Sequence, residues 1–278
     1  MLTFVSHGPA GSGPSLMMAA LAEAVRAVQP DLEIRTVDLP ARDGAEAITH
    51  LGERPGDATV LGSCTPTYLT TPLKQDLPWR AADFTAVAGL VQDTYLLAVR
   101  TDHPRAGLDS LFDAPTVAAA APYGGNTHIQ ALLVGDQVPG VDVRIVDSPA
   151  AAVEEVAAGT ADWTTGVGSD FAAGLRDGRL RVIGTFAEHG TPDRPALADA
   201  GIDVRFPLWR GVVAPPGLAA SDLAAWERLL AGARRTPPWR DYVTGAGMQD
   251  ADWDSAGFRE VLDREQVRYA AWIDRLGH

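Results

Sequence analysis

Two glycine-rich segments of the sequence have the composition of an anion-binding turn. Residues 7–14 (HGPAGSGP) and 122–127 (PYGGNT) each follow a short apolar segment and precede a helical pattern. Where a strand enters a helix through such a turn, backbone N–H groups and the positive end of the helix dipole face the same place. This pattern predicts the binding of a negatively charged group such as a carboxylate. For either turn taken alone, a plain tight connection is the alternative.

Polar residues that follow predicted strands are the further candidates for ligand contacts. Ser63 and Thr65 come after an apolar segment, and Asp147, Thr165 and Gly166 hold similar positions in the second half. Ligands of open parallel sheets bind beyond the carboxyl ends of the strands, where the turns also fall. The predicted ligand-binding set is His7, Gly11, Ser12, Gly13, Ser15, Ser63, Thr65, Gly125, Asn126, Thr127, His128, Asp147, Thr165 and Gly166. Hydroxyls that bond their own backbone are the alternative for the serines and threonines.

Catalytic, metal and cofactor chemistry has little support in the sequence. Cys64, the single cysteine, would be a nucleophile only if His7 or His128 lay beside it as a base, and no spacing predicts that contact. The six histidines lack the spacing of a metal site. Residues 8–14 do not match the dinucleotide fingerprint, and no phosphate-binding lysine follows them. We therefore predict a binding protein without cofactor or metal, with an enzyme or ligand sensor of the same fold as the alternative.

The elements that must position these residues alternate between strand-like and helix-like patterns. Residues 2–6 form the first predicted strand, and residues 116–121 begin the same order of strand, glycine turn and helix again. This predicts an α/β protein with two lobes, each a mostly parallel sheet flanked by helices. The apolar face predicted for the first helix consists of Leu16, Ala20, Leu21, Ala24, Val25 and Val28. The predicted N-caps of three later helices are Ser148, Ser221 and Ser255.

The predicted lobes are formed from three segments of the chain. The first contains residues 1–101 and 213–278, and the second contains residues 102–212. The chain is expected to cross between them near 100–104 and 208–214, where two adjacent crossings would act as a hinge. A ligand cleft is expected between the lobes.

Composition and charge exclude several classes of partner. The 278 residues include 23 Lys and Arg against 36 Asp and Glu, a net charge of -13. Nucleic acids and anionic membranes need concentrated basic residues, so neither is expected. No apolar run approaches the roughly 20 residues that span a bilayer. We expect a monomer.

The compartment depends on what precedes the first predicted strand. Met1 comes just before it, without a basic segment, an apolar region or a cleavage site in between. The protein is expected outside the cytoplasm, periplasmic or surface-anchored, if a leader precedes this sequence in the natural chain. It is expected in the cytoplasm if Met1 is the native start.

The order of motifs resembles the receptor component of the tripartite tricarboxylate transporters, the Bug or TctC-like family. Segment 9–15 resembles the family's Pro-Gly-Gly-x-x-Asp turn, and 123–128 resembles its Gly-x-Gly-Ser-x-x-His loop. Segment 209–217 is similar to Trp-x-Gly-x-x-Ala-Pro-x-Gly. Weaker similarities, at 83–88, 96–99, 150–162 and 177–184, extend the resemblance over nearly the whole chain.

The resemblance implies a periplasmic-binding-protein-like, or Venus-flytrap, fold that captures organic acids for a membrane permease. The backbone amides of the two glycine turns, with bridging water, would hold a carboxylate. Two positions depart from the family pattern: Ser15 replaces its Asp, and Asp147 with Ser148 replaces an aromatic segment.

Overall fold

The chain forms two compact units. The computed structural model describes residues 1–105 and 107–276. The first unit is Met1–Gln92 with Trp209–His278, and the second is Asp93–Leu208. The first boundary lies before the predicted 101/102, because the strand Leu96–Arg100 pairs within the sheet of the second unit.

The elements alternate along the chain as the sequence predicts. The strands are β1 Leu2–Ser6, β2 Ile34–Asp38, β3 Val60–Cys64, β4 Thr85–Thr94, β5 Leu96–Arg100, β6 Thr116–Ala120, β7 Val141–Ile145, β8 Trp163–Gly166, β9 Leu180–Thr185, β10 Pro207–Ala214 and β11 Gln249–Trp253. The helices are α1 Gly13–Val28, α2 Ala45–Gly52, α3 Thr67–Lys74, α4 Leu108–Leu111, α5 Asn126–Gly135, α6 Pro149–Ala157, α7 Gly168–Arg176, α8 Ala220–Ala233, α9 Pro237–Gly245 and α10 Ser255–Arg275.

The sheet of the first unit has the strand order β11-β4-β10-β3-β1-β2. Strand β1 runs parallel to β2 and β3, whereas β10 is antiparallel to β3 and β11 is antiparallel to β4. The sheet is therefore mixed, and the predicted parallel arrangement holds for β2, β1 and β3. The difference arises because β10 brings the chain back into this unit in the opposite direction.

The sheet of the second unit repeats this design with the order β7-β6-β8-β5-β9. Strand β6 runs parallel to β7 and β8, and β5 is antiparallel to β8 and β9. In each unit the first helix after a glycine turn, α1 or α5, thus follows a strand with parallel neighbours on both sides. The carboxyl ends of those parallel strands share one edge of the sheet.

Helix α1 packs on its sheet with a slightly different face from the predicted one. Leu21, Ala24 and Val25 are buried as predicted, and Met17, Met18 and Ala22 complete the face. Leu16 and Val28 are 51% and 40% exposed, so their predicted core positions are wrong. Leu16 lies in the first turn of α1, where a side chain points back toward the N-terminus of the helix.

One of the three predicted N-caps is confirmed. Ser148 Oγ accepts a hydrogen bond from Ala151 N at 3.1 Å. Helix α8 is preceded by Ala219, and α10 by Asp254, so the predictions for Ser221 and Ser255 are wrong. Asp254 accepts from Gly257 N at 2.8 Å, and a carboxylate is a stronger acceptor at a helix start than a hydroxyl.

Candidate functional site

His7 joins the carboxyl ends of β1 and β3 in the first unit. Its Nδ1 lies 2.7 Å from Ser63 Oγ and 3.0 Å from Ser63 O, and its Nε2 lies 3.0 Å from Thr65 Oγ1. The Ser63 carbonyl only accepts, so Nδ1 carries the proton and Nε2 accepts from the Thr65 hydroxyl. Tyr68 packs edge-on against the imidazole, with 5.6 Å between the ring centroids.

The environment of His7 keeps the imidazole neutral. Burial is the largest effect and lowers its pKa to about 4, partly opposed by the hydrogen bond to Ser63 and by the charge of Asp43. Arg210 lowers the pKa further. His7, Ser63 and Thr65 are therefore brought together, but their polar atoms bond one another. Direct contact of these three residues with a ligand stays a prediction.

The first glycine turn leads into α1 with few free donors. Ser12 is the N-cap, and its Oγ accepts from Ser15 N at 3.5 Å. Pro14 has no N–H. Among the described residues, the amide in the first turn of α1 that has no hydrogen bond is therefore that of Gly13. Gly11 has φ +79°, a left-handed conformation that favours glycine. The Ser15 hydroxyl donates to Asp38 Oδ2 at 3.2 Å, so it is already engaged within this unit.

Arg210 contacts this turn from another strand, and the sequence analysis missed it. It lies on β10 and is 7% exposed. Its guanidinium packs against Gly13, where an added Cβ would come closest to Nη1 and would lie 2.9 Å from Cζ. In the sequence it stands at the variable position of the Trp-x-Gly motif, far from residues 7–14, so only the strand order brings it to the turn.

The second glycine turn is held by its own polar groups. Thr127 Oγ1 accepts from Ala121 N at 3.0 Å and donates to Ala121 O at 2.9 Å. Gly124 N donates to His128 Nδ1 at 3.0 Å, and Gly125 N donates to Pro122 O. The Thr127 hydroxyl thus bonds the backbone of its own turn, which is the alternative to a ligand contact. With Nδ1 as an acceptor, neutral His128 carries its proton on Nε2, and burial lowers its pKa.

Helix α5 begins with three unbonded amides. Its N-cap is Gly125, which has no side chain to cap the helix. Among the residues that the structure describes, no acceptor bonds the backbone N–H groups of Asn126, Thr127 and His128. The Asn126 side chain points elsewhere and donates to Tyr95 Oη at 2.8 Å. These donors and the positive pole of the helix dipole suit an anion, and more amides are unbonded here than at the start of α1.

Thr165 adds a buried hydroxyl at the same edge of the second sheet. It lies near the end of β8, which runs parallel to β6, and it is 5% exposed. Its Oγ1 is buried without a hydrogen-bond partner, unlike Thr164 Oγ1, which donates to Ala119 O at 2.8 Å. A buried hydroxyl without a partner is costly, so this atom is suited to a ligand. Gly166 is buried beside it, whereas Asp147 is exposed.

Among the described residues, Cys64 is not arranged as a nucleophile with a histidine base. Cys64 is fully buried, and burial raises the pKa of its thiol far above the usual range. The polar partners of His7 are Ser63 and Thr65, and within the described part of the chain no hydrogen bond joins Cys64 to a histidine. Nor do the described residues group three metal-binding side chains together.

Comparison with known proteins identifies the fold. No protein-family model matches the sequence, and no curated protein matches it. A TctC solute-binding protein from Polaromonas has 19% identity and a TM-score of 0.83 over 99% of this chain and 98% of its own. MatC from Rhodopseudomonas palustris, solved with bound malate, has 18% identity and a TM-score of 0.79 over 98% of both chains. Rpa4515 of R. palustris, solved with adipate, has 16% identity and a TM-score of 0.81 over 100% and 97%.

The chain thus has the α/β fold of the periplasmic solute-binding proteins. Within that class its structure is similar to the TctC and Bug type, as the sequence motifs predict. In the described ranges no helix is both long enough and apolar enough to cross a bilayer.

Proposed function

We propose that this protein is a solute-binding protein that captures a small carboxylate for a tripartite tricarboxylate-type transporter. The observation that carries the proposal is the open start of α5, where three neighbouring backbone amides have no acceptor among the described residues. Solved structures of the same fold hold malate in MatC and adipate in Rpa4515. A small dicarboxylate is therefore the first ligand class to test.

The local electrostatics favour an anion although the whole protein is acidic. The net charge of -13 repels anions at long range, but this effect is screened within about 10 Å at ordinary ionic strength. At contact distance the carboxylate meets N–H dipoles in a partly buried site, where hydrogen bonds to a charged group contribute about 1.5–3 kcal/mol each. Thr165 Oγ1 supplies a further donor to a carboxylate oxygen.

The states of Cys64, His7 and His128 favour binding over catalysis. The Cys64 thiol is protonated because burial raises its pKa, and His7 is bonded at both ring nitrogens. His128 has one ring nitrogen engaged by Gly124 N. We therefore propose that the protein releases its ligand unchanged.

Removing one amide of α5 tests the proposal directly. Asn126 is the first helical residue, where proline is tolerated, and Gly125 has φ -83° and ψ 172°, which suit a residue before proline. Asn126→Pro deletes the N–H, and Asn126→Ala deletes only the side chain. Calorimetric titration with malate and adipate should show binding by the wild type and the alanine variant, and about tenfold or greater loss in the proline variant.

The titration also has a result that contradicts the proposal. If neither the wild type nor the alanine variant binds a panel of mono-, di- and tricarboxylates at millimolar concentration, the protein is not a carboxylate receptor. If the proline variant binds as well as the alanine variant, the α5 amides do not hold the ligand. Thermal unfolding of all three proteins shows whether the fold is kept.

The remaining parts of the proposal concern the cellular setting. We propose that the protein acts outside the cytoplasm as a monomer and delivers its ligand to a membrane permease. Fractionation of the native cells tests the location, and light scattering of the purified protein tests the monomer. Loss of carboxylate uptake after deletion of the gene tests the link to a permease.

A further inference from the structure

We propose that Gln130 makes the start of α5 selective for a carboxylate with a hydroxyl group on the adjacent carbon, a 2-hydroxy acid. This inference rests on the proposed function and adds a specificity-determining residue to it. All the groups that it uses belong to the second unit: the backbone amides at the start of α5, the Thr165 hydroxyl and the Gln130 side chain.

Gln130 is a buried side-chain amide without a hydrogen-bond partner in the part of the chain that the structure describes. The residue is 0% exposed, and neither Oε1 nor Nε2 is bonded. Gln137, which follows the end of α5, differs: its Nε2 donates to Asp203 O at 3.2 Å and its Oε1 accepts from Asp203 N at 2.8 Å. A buried amide with neither atom bonded is costly, so both polar atoms of Gln130 are suited to a bound molecule.

Gln130 lies on a buried side of α5, close in sequence to the anion-binding start of the helix. It follows Thr127 by three residues, so the two side chains lie on one face, and both are buried. A helical side chain points back toward the N-terminus, over the preceding turn. The Gln130 amide therefore lies toward the turn of Asn126 and Thr127, whose backbone N–H groups have no acceptor among the described residues.

Strand order places Thr165 on the face of the sheet that α5 covers. The chain passes from β6 to β7 through α5 and from β7 to β8 through α6, and β7 and β8 lie on opposite sides of β6. Right-handed crossovers in opposite directions put these two helices on opposite faces. Thr164 pairs in register with Ala119, which packs in the apolar cluster of α6, so Thr165 points to the α5 face.

The hydrogen-bonding capacity of an amide decides which ligand suits Gln130. A carboxylate only accepts hydrogen bonds, so it can bond the α5 amides, Thr165 Oγ1 and Gln130 Nε2, but it leaves Gln130 Oε1 without a donor. A hydroxyl group beside the carboxylate both donates and accepts, and it supplies that donor. An ammonium group also donates, but the positive pole of α5 repels it. A 2-hydroxy carboxylate is therefore the ligand class that satisfies the whole site.

The experiment compares ligands that differ in one group. Calorimetry measures the affinity of the wild type, Gln130→Met and Gln137→Met for both enantiomers of malate, for succinate, which lacks the hydroxyl, and for aspartate, which carries an ammonium group in its place. Methionine keeps a side chain of similar length without an amide. Gln137→Met is the matched control, because it removes a glutamine whose amide is bonded within the unit. Gln130→Leu gives a second measurement of the same loss, and thermal unfolding establishes that each variant is folded.

Preference for malate over succinate is the readout that a merely structural role would not change. We expect the wild type and Gln137→Met to bind one enantiomer of malate about tenfold or more tightly than succinate or aspartate. The reason is that a site built to bond a ligand hydroxyl discriminates against the analogue without it. Gln130→Met and Gln130→Leu should bind malate and succinate with nearly equal affinities.

The same titrations separate this inference from the proposed function. If the wild type binds succinate as tightly as malate, or if a folded Gln130 variant keeps the wild-type preference, the role of Gln130 is overturned while the proposed function stands. If the wild type binds neither malate nor any other carboxylate, the proposed function fails and this inference fails with it.

Discussion

Thr127 Oγ1 bonds both backbone groups of Ala121, at 3.0 Å to the N–H and 2.9 Å to the carbonyl oxygen. Thr127→Val removes both bonds and leaves two buried backbone groups without them. We expect a loss of about 1–3 kcal/mol in the free energy of unfolding, together with weaker ligand binding. Thr127→Ser keeps the hydroxyl and is the control. Urea unfolding of both variants checks the prediction, and equal stabilities would contradict it.

Thr165→Val should separate stability from binding. Its Oγ1 has no partner, so replacement by a methyl group of the same shape should leave the protein equally stable or up to about 1 kcal/mol more stable. The affinity for a carboxylate should fall severalfold. Thr164→Val is the matched control, because its Oγ1 donates to Ala119 O and its removal should destabilise the protein. A Thr165 variant less stable than the Thr164 variant would show that this assignment is wrong.

His7 should make the folded protein less stable at acidic pH. Its folded pKa of about 4 lies below the ordinary 6.5, so between these values the unfolded chain binds more protons than the folded protein. Its stabilising contribution is therefore fully present above pH 6.5 and is lost as the pH falls toward 4, by about 3 kcal/mol.

The matched variant for this effect is His7→Asn, which keeps a donor near Ser63 and does not titrate. Urea unfolding from pH 4 to 7 should show a steeper decline for the wild type than for the variant. Parallel declines would mean that other groups cause the acid sensitivity.

Gly13 and Arg210 should be energetically coupled. Gly13→Ala forces the guanidinium to move, so it should lower the free energy of unfolding. In the Arg210→Ala background, Gly13→Ala should cost little more, because the group it displaces is gone. A double-mutant cycle on the free energies of unfolding measures this coupling, and fully additive effects would exclude it.

Cys64 should be inert in the folded protein. Its side chain is buried, and burial raises the pKa of the thiol, so the reactive thiolate is scarce. Iodoacetamide should modify it at least tenfold more slowly in the native protein than in urea. Cys64→Ala should bind the ligand with unchanged affinity. Rapid native labelling, or loss of a measured turnover in the variant, would favour an enzyme.

Much of the fold could be predicted because it depends on local signals. Alternating apolar segments, two glycine turns and the repeated order of strand, turn and helix identify an α/β protein, and the resemblance to the Bug family implies the solute-binding fold. The structure confirms both. The parallel ends of β1 with β3, and of β6 with β8, bring predicted site residues to shared edges. The predictions are wrong where a residue one or two positions away fits the same role equally well in the local pattern. This is the case for the buried face at Leu16 and for the N-cap at Ser255.

The sequence by itself determined which residue types stand at the two turns, because glycine and the flanking patterns act over short distances. Only the tertiary structure decided which polar atoms have a hydrogen-bond partner within the protein. Thr127 and Thr165 look alike in the sequence, yet one hydroxyl closes its own turn and the other has no partner. Arg210 reaches Gly13 because β10 joins the sheet beside β3, and strand order is a property of long-range packing that neighbouring residues do not encode.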